Sequence, residues 1–595
     1  MGRKKSREIV LKGIPVSPGI ALGKAVFIKQ DIMKPERLIV SPDDIDNEID
    51  RLEKAVEITR EDISKTRSRA SKNMGEIVSR IFDAHMMILE DDVFFNEVKN
   101  KIRNERFAAD FALFHEMSKT YNSLLSKQQE YFRERAEDIR DVGIRLLSNI
   151  YGKSNGTIIH GDEPVIIIAR MLTPSEVVQM NRSLILGVMT DIGGMTSHIA
   201  ILTRALEAPA VVGLKKVSMY HDRVNMAVVN GNSGKVVLNP SEKSVEEYID
   251  KRRRYIEFYD RLENIKDLPC ETIDGHRISL EANIELPHEV EAVKSHGAEG
   301  IGLFRTEYLY LLRNEFPDED EQYREYRKIV EAMKDKPVTI RTFDLGGDKT
   351  TEGLEIGREA NPFMGLRAIR IALAEPELLK KQMRAILRAS AHGKVKMMFP
   401  LVTGISEYRK IKRIISQVKR ELKQNNINFD EDIEIGVMIE VPSAVIMAPE
   451  LAREVDFFSI GTNDLIQFTL AVDRGNAMVA HMFKNLHPAI LRMIKMTVEA
   501  GHKRGIEVSM CGEMAGDPLA TLILLGLGID RLSVSPIVLP EIKKIVRSTI
   551  FADAKEFADR VIKMKTHDEI RKASMELMKR KFADLPIWFT NQGNH

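Results

Sequence analysis

Two groups of residues in this chain of 595 have the types and spacing of chemical sites. The first is Gly193-Gly194-Met195-Thr196-Ser197-His198. Paired glycines let the backbone approach a ligand closely. Thr196 or Ser197 is a natural helix cap, and the pattern over about 197–207 predicts a helix stopped by Pro209. His198 then falls in the first turn, where free amides and the helix dipole favour an anion. A neutral imidazole whose other nitrogen is fixed by a hydrogen bond is a competent nucleophile. A phosphoryl group placed on it would be held by those amides. Taken alone, a histidine at a helix start is more often structural.

The second group is spread over the C-terminal half. It comprises Arg305, Arg341 and Arg474, the carboxylates Asp344, Glu440 and Asp464, and beside them Asn463 and Cys511. Guanidinium forks match carboxylate and phosphate. Glu440 and Asp464 offer hard oxygen ligands of the kind Mg²⁺ takes. Three arginines and three carboxylates brought together would bind a small polyanion with a divalent cation. Structural ion pairing explains any one of these charges equally well, and the whole set less well. No G-x-x-x-x-G-K-[ST] loop is present. Gly300-Ile301-Gly302 lacks its third glycine, because Arg305 stands there, which argues against ATP as a donor bound by such a loop.

These charges need elements that converge. From residue 277 onward, apolar runs alternate with helical stretches. The runs are 278–284, 300–308, 338–345, 395–402, 434–441, 457–465, 507–514 and 531–536. Eight strands separated by helices predict a (β/α)8 TIM-type barrel, whose active site lies at the C-terminal ends of its strands. Arg305 would end the second strand and Arg341 lie in the third, with Asp344 after it. Glu440 would end the fifth, Asn463 and Asp464 the sixth, with Arg474 just beyond. Cys511 would lie in the seventh.

The N-terminal half is mixed. Residues 14–29, rich in Gly, Pro and β-branched types, predict a short strand and turns. Ser41-Pro42-Asp43-Asp44 predicts a helix start, and 41–150 is nearly free of glycine, with apolar residues such as Ile45, Ile49, Leu52 and Val56 at helical spacing. This is a helical subdomain, inserted into an α/β unit that resumes with strands at 165–169 and 184–190 and closes with a hairpin over 228–240. A charged, glycine-free stretch at 241–265 predicts a linker helix between domains, and a solvated surface helix fits the same residues.

Composition sets the outer bounds. Apolar residues make up 43% and charged residues 30%, the profile of a globular protein of several domains. Basic and acidic residues number 89 and 88, so no global charge draws the chain to nucleic acid or membrane. Two cysteines, Cys270 and Cys511, cannot build a disulfide framework, which predicts a reducing, cytoplasmic setting. No apolar run approaches a membrane span. The start, Met1-Gly2-Arg3-Lys4-Lys5-Ser6, has no apolar signal core and only loosely matches a myristoylation pattern.

The strings PVSPGIALGKA (15–25), ERAEDIRDVGIRLL (134–147), GGMTSHIAILTRALEAPAVVG (193–213), GIGLFRTEYLY, RTFDLGGDK, NPFMGLRAIR, GVMIEVPSA, FFSIGTNDLIQFTLAVDRGN and MCGEMAGD span most of the chain. They resemble the phosphoenolpyruvate–protein phosphotransferases, enzyme I of the bacterial sugar phosphotransferase system. The resemblance implies a multidomain α/β protein. A swivelling phosphohistidine domain (1–30 and 146–240) would carry an inserted helical subdomain (31–145) that docks the carrier protein HPr. A linker helix (241–265) would lead to a phosphoenolpyruvate-binding and dimerisation barrel (266–595). His198 would carry the phosphoryl group, with Thr173 orienting it and Gly193, Gly194, Thr196 and Ser197 shaping its loop. Arg305 and Arg341 would bind phosphate, Asn463 contact it, and Arg474 hold the substrate. Glu440 and Asp464 would ligate Mg²⁺, and Cys511 would protonate the pyruvate enolate.

Three positions depart from the family pattern. Met195 stands in place of Arg or Pro, Met171 in place of a polar residue such as Asp, and Asn230 in place of Asp. The chain opens so near the phosphohistidine region that it leaves no room for the sensory domain of nitrogen-regulatory relatives. A pyruvate–phosphate dikinase or phosphoenolpyruvate synthase would need a large ATP-binding domain that no segment supplies. A silent paralogue acting as a sensor or scaffold would have lost His198, Cys511 or a metal carboxylate, and all are present.

Overall fold

The structure is a computed structural model that describes residues 7–28, 34–74, 76–125, 130–152, 163–193, 208–221, 223–311, 316–346, 359, 361–474, 476 and 478–582. The chain divides into two compact units, Met1–Glu257 and Phe258–His595.

Eight strands build the sheet of the first unit. They are β1 (Ile9–Lys12), β2 (Ile14–Ser17), β3 (Ile20–Ile28), β4 (Val165–Ala169), β5 (Ile185–Thr190), β6 (Ala210–Val212), β7 (Met226–Asn230) and β8 (Lys235–Leu238), in the order β1-β8-β7-β3-β4-β5-β6-β2. β1 and β2 are consecutive in sequence yet form opposite edges of the sheet, so the chain ties the two edges together at Gly13, whose N–H reaches the Gly234 carbonyl at 2.8 Å. Every residue of β4 is buried. Ile166 and Ile168 feed one core, and Val165, Ile167 and Ala169 the other, the period-2 alternation of a strand covered on both faces.

The segment 14–29, read from sequence as a short strand and turns, holds two strands, β2 and β3, of which β3 runs for nine residues. Its glycines suggested turns. Pairing with β4 on one side and β7 on the other overrides that weak local preference.

Five helices lie between β3 and β4 in sequence: α1 (Ile45–Met74), α2 (Glu76–Leu89), α3 (Asp92–Glu105), α4 (Ala109–Leu125) and α5 (Glu130–Ile150). A 3₁₀ turn at Pro42–Asp44 precedes α1, and Ser41 Oγ donates to Asp44 at 2.7 Å. Ile49, Leu52, Phe82, Val98, Leu113 and Leu146 of these helices share one core with Val165 and Ile167 of β4. The helices thus cover one face of the sheet, as an insertion must. β7 and β8 form the expected hairpin. Asn230 closes it, its Oδ1 accepting from the amides of Asn232 and Ser233, both at 3.1 Å. Asparagine does here what an aspartate oxygen would do in the same turn.

A helix spans Glu242–Glu263. Tyr248 packs with Ile20, Val228 and Val237, and Phe258 and Leu262 join the core of the second unit.

That unit is a closed barrel of eight parallel strands, at the eight places expected. They are β9 (Ser279–Ile284), β10 (Ile301–Arg305), β11 (Val338–Arg341), β12 (Val395–Phe399), β13 (Glu434–Ile439), β14 (Phe457–Ile460), β15 (Glu507–Met510) and β16 (Arg531–Val534). Amphipathic helices surround it. In Ile405–Gln424, for example, the buried residues Tyr408, Ile411, Ile415, Val418 and Leu422 recur at helical spacing. Several strands end earlier than their apolar runs. Glu440 and Cys511 each stand one residue beyond a strand, and Asn463 and Asp464 occupy the first turn of a helix, Thr462–Leu470. The ladder stops there because Gly461 begins a helix after β14 and a 3₁₀ turn, Glu513–Gly516, follows β15. The fold therefore matches the α/β multidomain expectation, with a TIM-type barrel in the C-terminal unit.

Candidate active site

At the C-terminal end of the barrel, charged side chains are fixed by one another. Arg341, the last residue of β11, is buried. Its Nη2 donates to Glu307 at 2.8 Å, and its Nη1 lies 3.5 Å from Asp344. Burial alone would lower its pKa, but Glu307, Asp344 and Glu440 outweigh that and raise it. The same Glu307 oxygen accepts from the Asp344 amide at 2.8 Å, so one carboxylate fixes the guanidinium and the turn that follows it. Asp344 in turn holds Arg367 with both oxygens, at 2.9 and 3.0 Å, and Arg367 Nη2 reaches Asp464 at 2.8 Å. Planar forks of this kind give orientation as well as charge.

Glu440 is deeply buried and accepts from the Leu401 amide at 2.6 Å. Leu401 has φ 56°, a left-handed conformation that a branched side chain rarely adopts, and the turn it makes presents that amide. Gly461 passes so close that a Cβ there would lie 2.6 Å from Glu440 Oε2. Burial pushes the Glu440 carboxyl up to about 8. Asp464 and Asp344 add to the shift, and Arg341 and Arg367 oppose it.

Cys511 is buried in a layer with Leu303, Met398, Met438 and Phe457. Ser459 Oγ donates to its Sγ at 3.3 Å. Burial pushes the thiol pKa up, while Ser459, Arg341 and Arg305 pull it back.

Toward the rim, Arg305 pairs with Glu285 at 2.7 Å. Asn463 and Arg474 meet on Glu513: Asn463 Nδ2 donates to it at 3.1 Å and Arg474 Nη1 at 3.4 Å. Two arginine nitrogens, Nε of Arg305 and Nε of Arg341, are buried with no hydrogen-bond partner among the described residues. Buried donors without acceptors are unfavourable, and an anionic substrate would satisfy them.

The expected residues of the barrel thus lie at one end of it. Arg341 and Asp464 are linked through Asp344 and Arg367, with Glu440 acting on the same charges. Arg305, Asn463 and Arg474 stand at its rim. Sequence reasoning did not single out Arg367, Glu307 or Ser459. Arg367 lies 26 positions past the end of β11 and so escaped a search of strand ends. Glu307 lies only two residues past Arg305, inside the run 300–308 that predicts a strand.

Glu440 and Asp464 suit a hard dication. Buried carboxylates resist ionisation unless a cation offsets them, and Glu440 is raised first by its burial and then by the nearby Asp464 and Asp344. Among the described residues no group of three His, Cys, Asp or Glu is arranged around a metal position. An ion here would take its remaining oxygens from water and substrate, as Mg²⁺ commonly does.

His198 lies outside the described residues, with Gly194, Met195, Thr196 and Ser197. The neighbours of that segment are described. Gly193 has φ 140° and sits against Val212, a conformation suited to glycine. Thr173 caps the helix α6 (Pro174–Gln179). Its Oγ1 accepts from the Glu176 amide at 3.3 Å, and Glu176 accepts from the Thr173 amide at 2.7 Å. Met171 is buried before Thr173.

Comparison with known proteins places most of the chain. Residues 12–135 match the family described as PEP-utilising enzyme, N-terminal. Residues 161–234 match the mobile domain of PEP-utilising enzymes, and 259–551 their PEP-binding domain. The phosphoenolpyruvate-protein phosphotransferase of Haemophilus influenzae is 42% identical over 561 residues, 94% of this chain and 98% of that one. That of Staphylococcus carnosus is 41% identical over 94% of this chain and 97% of its own. An Enzyme I protein solved in solution by NMR is 39% identical and covers 41% of this chain and 99% of its own, with a TM-score of 0.35. The identity extends across the barrel, whose end gathers arginines and carboxylates, and across the unit that contains His198: the chain belongs to the phosphoenolpyruvate-protein phosphotransferases.

Proposed function

We propose that this enzyme takes the phosphoryl group of phosphoenolpyruvate onto its own His198, releases pyruvate, and passes the group to a histidine of the carrier protein HPr, the first step of sugar uptake with phosphorylation. The observation that carries the reading is the frame at the barrel's C-terminal end. Arg341 and Arg367 are held by Glu307, Asp344 and Asp464, and buried guanidinium nitrogens of Arg305 and Arg341 have no acceptor among the described residues. Such a frame fits a small molecule bearing both phosphate and carboxylate.

In this reading Arg305 and Arg341 bind the phosphate, Asn463 contacts it, and Arg474 holds the rest of the substrate. Mg²⁺ held by Glu440 and Asp464 would neutralise charge on the phosphoryl group and the leaving oxygen. A neutral nitrogen of His198 attacks phosphorus as the bond to the enol oxygen breaks. Positioning and charge neutralisation supply most of the acceleration. The Cys511 thiol then gives its proton to the methylene carbon of the enolate, which leaves as pyruvate. Thr173, Gly193, Gly194, Thr196 and Ser197 shape and orient the histidine loop.

The organisation that serves this is a phosphohistidine domain (1–30 and 146–240), an HPr-docking helical subdomain (31–145), a linker helix (241–265) and a barrel (266–595) that pairs with a second copy. No helix among the described residues is long and apolar enough to cross a membrane; the reading itself places the enzyme in the cytoplasm with diffusible partners.

The test is incubation of the purified protein with phosphoenolpyruvate and Mg²⁺, followed by intact mass and acid-lability analysis. One acid-labile phosphoryl group, absent in His198→Ala, is expected. HPr added to the phosphorylated protein should remove it. A phosphoryl group retained in His198→Ala would assign the acceptor elsewhere.

A further inference from the structure

The Cys511 sulfur rests among apolar side chains, where polar partners are few. Two reach it. Ser459 Oγ donates to Sγ at 3.3 Å, and Sγ lies 3.9 Å from the Ile460 carbonyl. Ser459 sits fully buried on β14, directly opposite Ser509 of β15 in the ladder. The two serines divide the available acceptors: Ser509 gives its hydrogen to the Phe458 carbonyl at 3.1 Å, and Ser459 gives its own to the sulfur. A buried hydroxyl without an acceptor is unfavourable, so this contact fixes the serine and the thiol together. The Cys511 main chain is held as well, its amide on Ile460 at 3.2 Å and its carbonyl on Asn283 Nδ2 at 2.9 Å.

We propose that Ser459 is a positioning residue for proton delivery by Cys511: its hydroxyl sets the thiol's direction and donates to the thiolate that remains once the proton has gone. The inference rests on the reading of Cys511 as the proton donor. In that step the S–H bond breaks and a C–H bond forms at the methylene carbon, using the electron pair of the enolate double bond, while the enolate oxygen becomes the ketone. Sulfur keeps its pair and regains a proton from solvent before the next turnover. The charges acting on it come from three strand ends: Arg341 closing β11 and Arg305 closing β10 favour the thiolate, and Glu440 just after β13 opposes it. Ser459 adds a hydrogen bond to the charged form, which is stronger than one to the neutral form.

The experiment follows pyruvate formation in a single turnover from phosphoenolpyruvate and Mg²⁺, from neutral to alkaline pH, in the full chain and in S459A, S459T and C511A. Alkylation of Cys511 by iodoacetamide is followed over the same range in Cys270→Ser backgrounds. In S459A the rate at neutral pH should fall about tenfold without a change in the half-saturating phosphoenolpyruvate concentration. Its alkaline limb and the alkylation midpoint should both move to higher pH, because the thiol has become the weaker acid. S459T, which keeps the hydroxyl, should restore both. An S459A protein whose limb and midpoint stay in place, whatever its rate, overturns the proposal and leaves Ser459 a packing residue. If S459T does not fold, the S459A midpoint decides alone. Wild-type pyruvate formation by C511A would instead remove the proton-donor reading, and the alkylation midpoint would still report separately on the hydrogen bond.

Discussion

At the N-terminal end of the barrel, Arg531 bridges Glu281 and Glu507, both at 2.7 Å, and Lys396 meets Glu434 at 2.7 Å with its ammonium 5.3 Å from the Phe457 ring centre. Glu281 is buried, and burial raises its pKa although Arg531 opposes this. The C-terminal end holds charge of both signs as well, but arranges it differently. Arg305 and Arg341 each keep a buried Nε without an acceptor among the described residues. Glu440 is pushed up to about 8. The floor charges are paired with one another, whereas the mouth holds buried donors with no acceptor among the described residues. Unsatisfied donors persist where a ligand completes the arrangement, so charge alone does not mark a site.

That contrast can be broken from either end. Cys511→Ala should reduce pyruvate formation by roughly 10²–10⁴-fold, the span of a lost general acid, with little change in thermal midpoint. Equal losses in both would make Cys511 a packing residue. At the floor, Arg531→Ala leaves Glu281 buried and unpaired, which costs about 3–5 kcal/mol in a fully buried pair and less here because Arg531 is partly exposed. Denaturant unfolding should record that loss while activity per folded molecule stays unchanged. An activity loss beyond the folded fraction would give the floor a role in turnover.

Glu307→Gln keeps the shape at the mouth but weakens a charged hydrogen bond to Arg341. An effect of about 1.5–3 kcal/mol should appear as a roughly 10–100-fold rise in KM for phosphoenolpyruvate, with a smaller fall in kcat. The reverse split would place Glu307 in the chemical step.

The smallest effect is on pH. The Glu440 carboxyl lies above its ordinary 4.5, at about 8. The folded state therefore holds the proton more tightly than the unfolded chain. Its contribution to stability is fully present below 4.5 and is lost as pH rises through about 8. Without Mg²⁺, the barrel's melting temperature should decline across this window, and Glu440→Gln should flatten the decline. Mg²⁺ should restore stability most at the alkaline end. A wild-type profile already flat without metal would mean that Glu440 ionises normally.

Much of this protein is legible before folding. The barrel follows from eight apolar runs alternating with helical stretches, and the helical insertion from the near loss of glycine after residue 41. The ends of the strands were less legible. Glu440, Asn463, Asp464 and Cys511 read as strand residues because apolar neighbours carry the pattern past the last ladder bond. Arg367 was hidden by distance along the chain. Its partners Asp344 and Asp464 lie 23 positions before it and 97 after it, and no local pattern links such positions.

By itself, the order of residues determined which groups are available: guanidinium forks, hard carboxylates, a single thiol within the barrel runs and a histidine after two glycines. Periodicity determined the elements that carry them, because burial of apolar faces is a property of spacing. Only the tertiary structure decided which charges complete one another. Closure of the barrel brings strand ends from distant parts of the chain together, and burial there makes each charge depend on its neighbours. That dependence left Arg531 paired and Arg341 with a buried donor that no described residue accepts, though both began as arginines at strand ends.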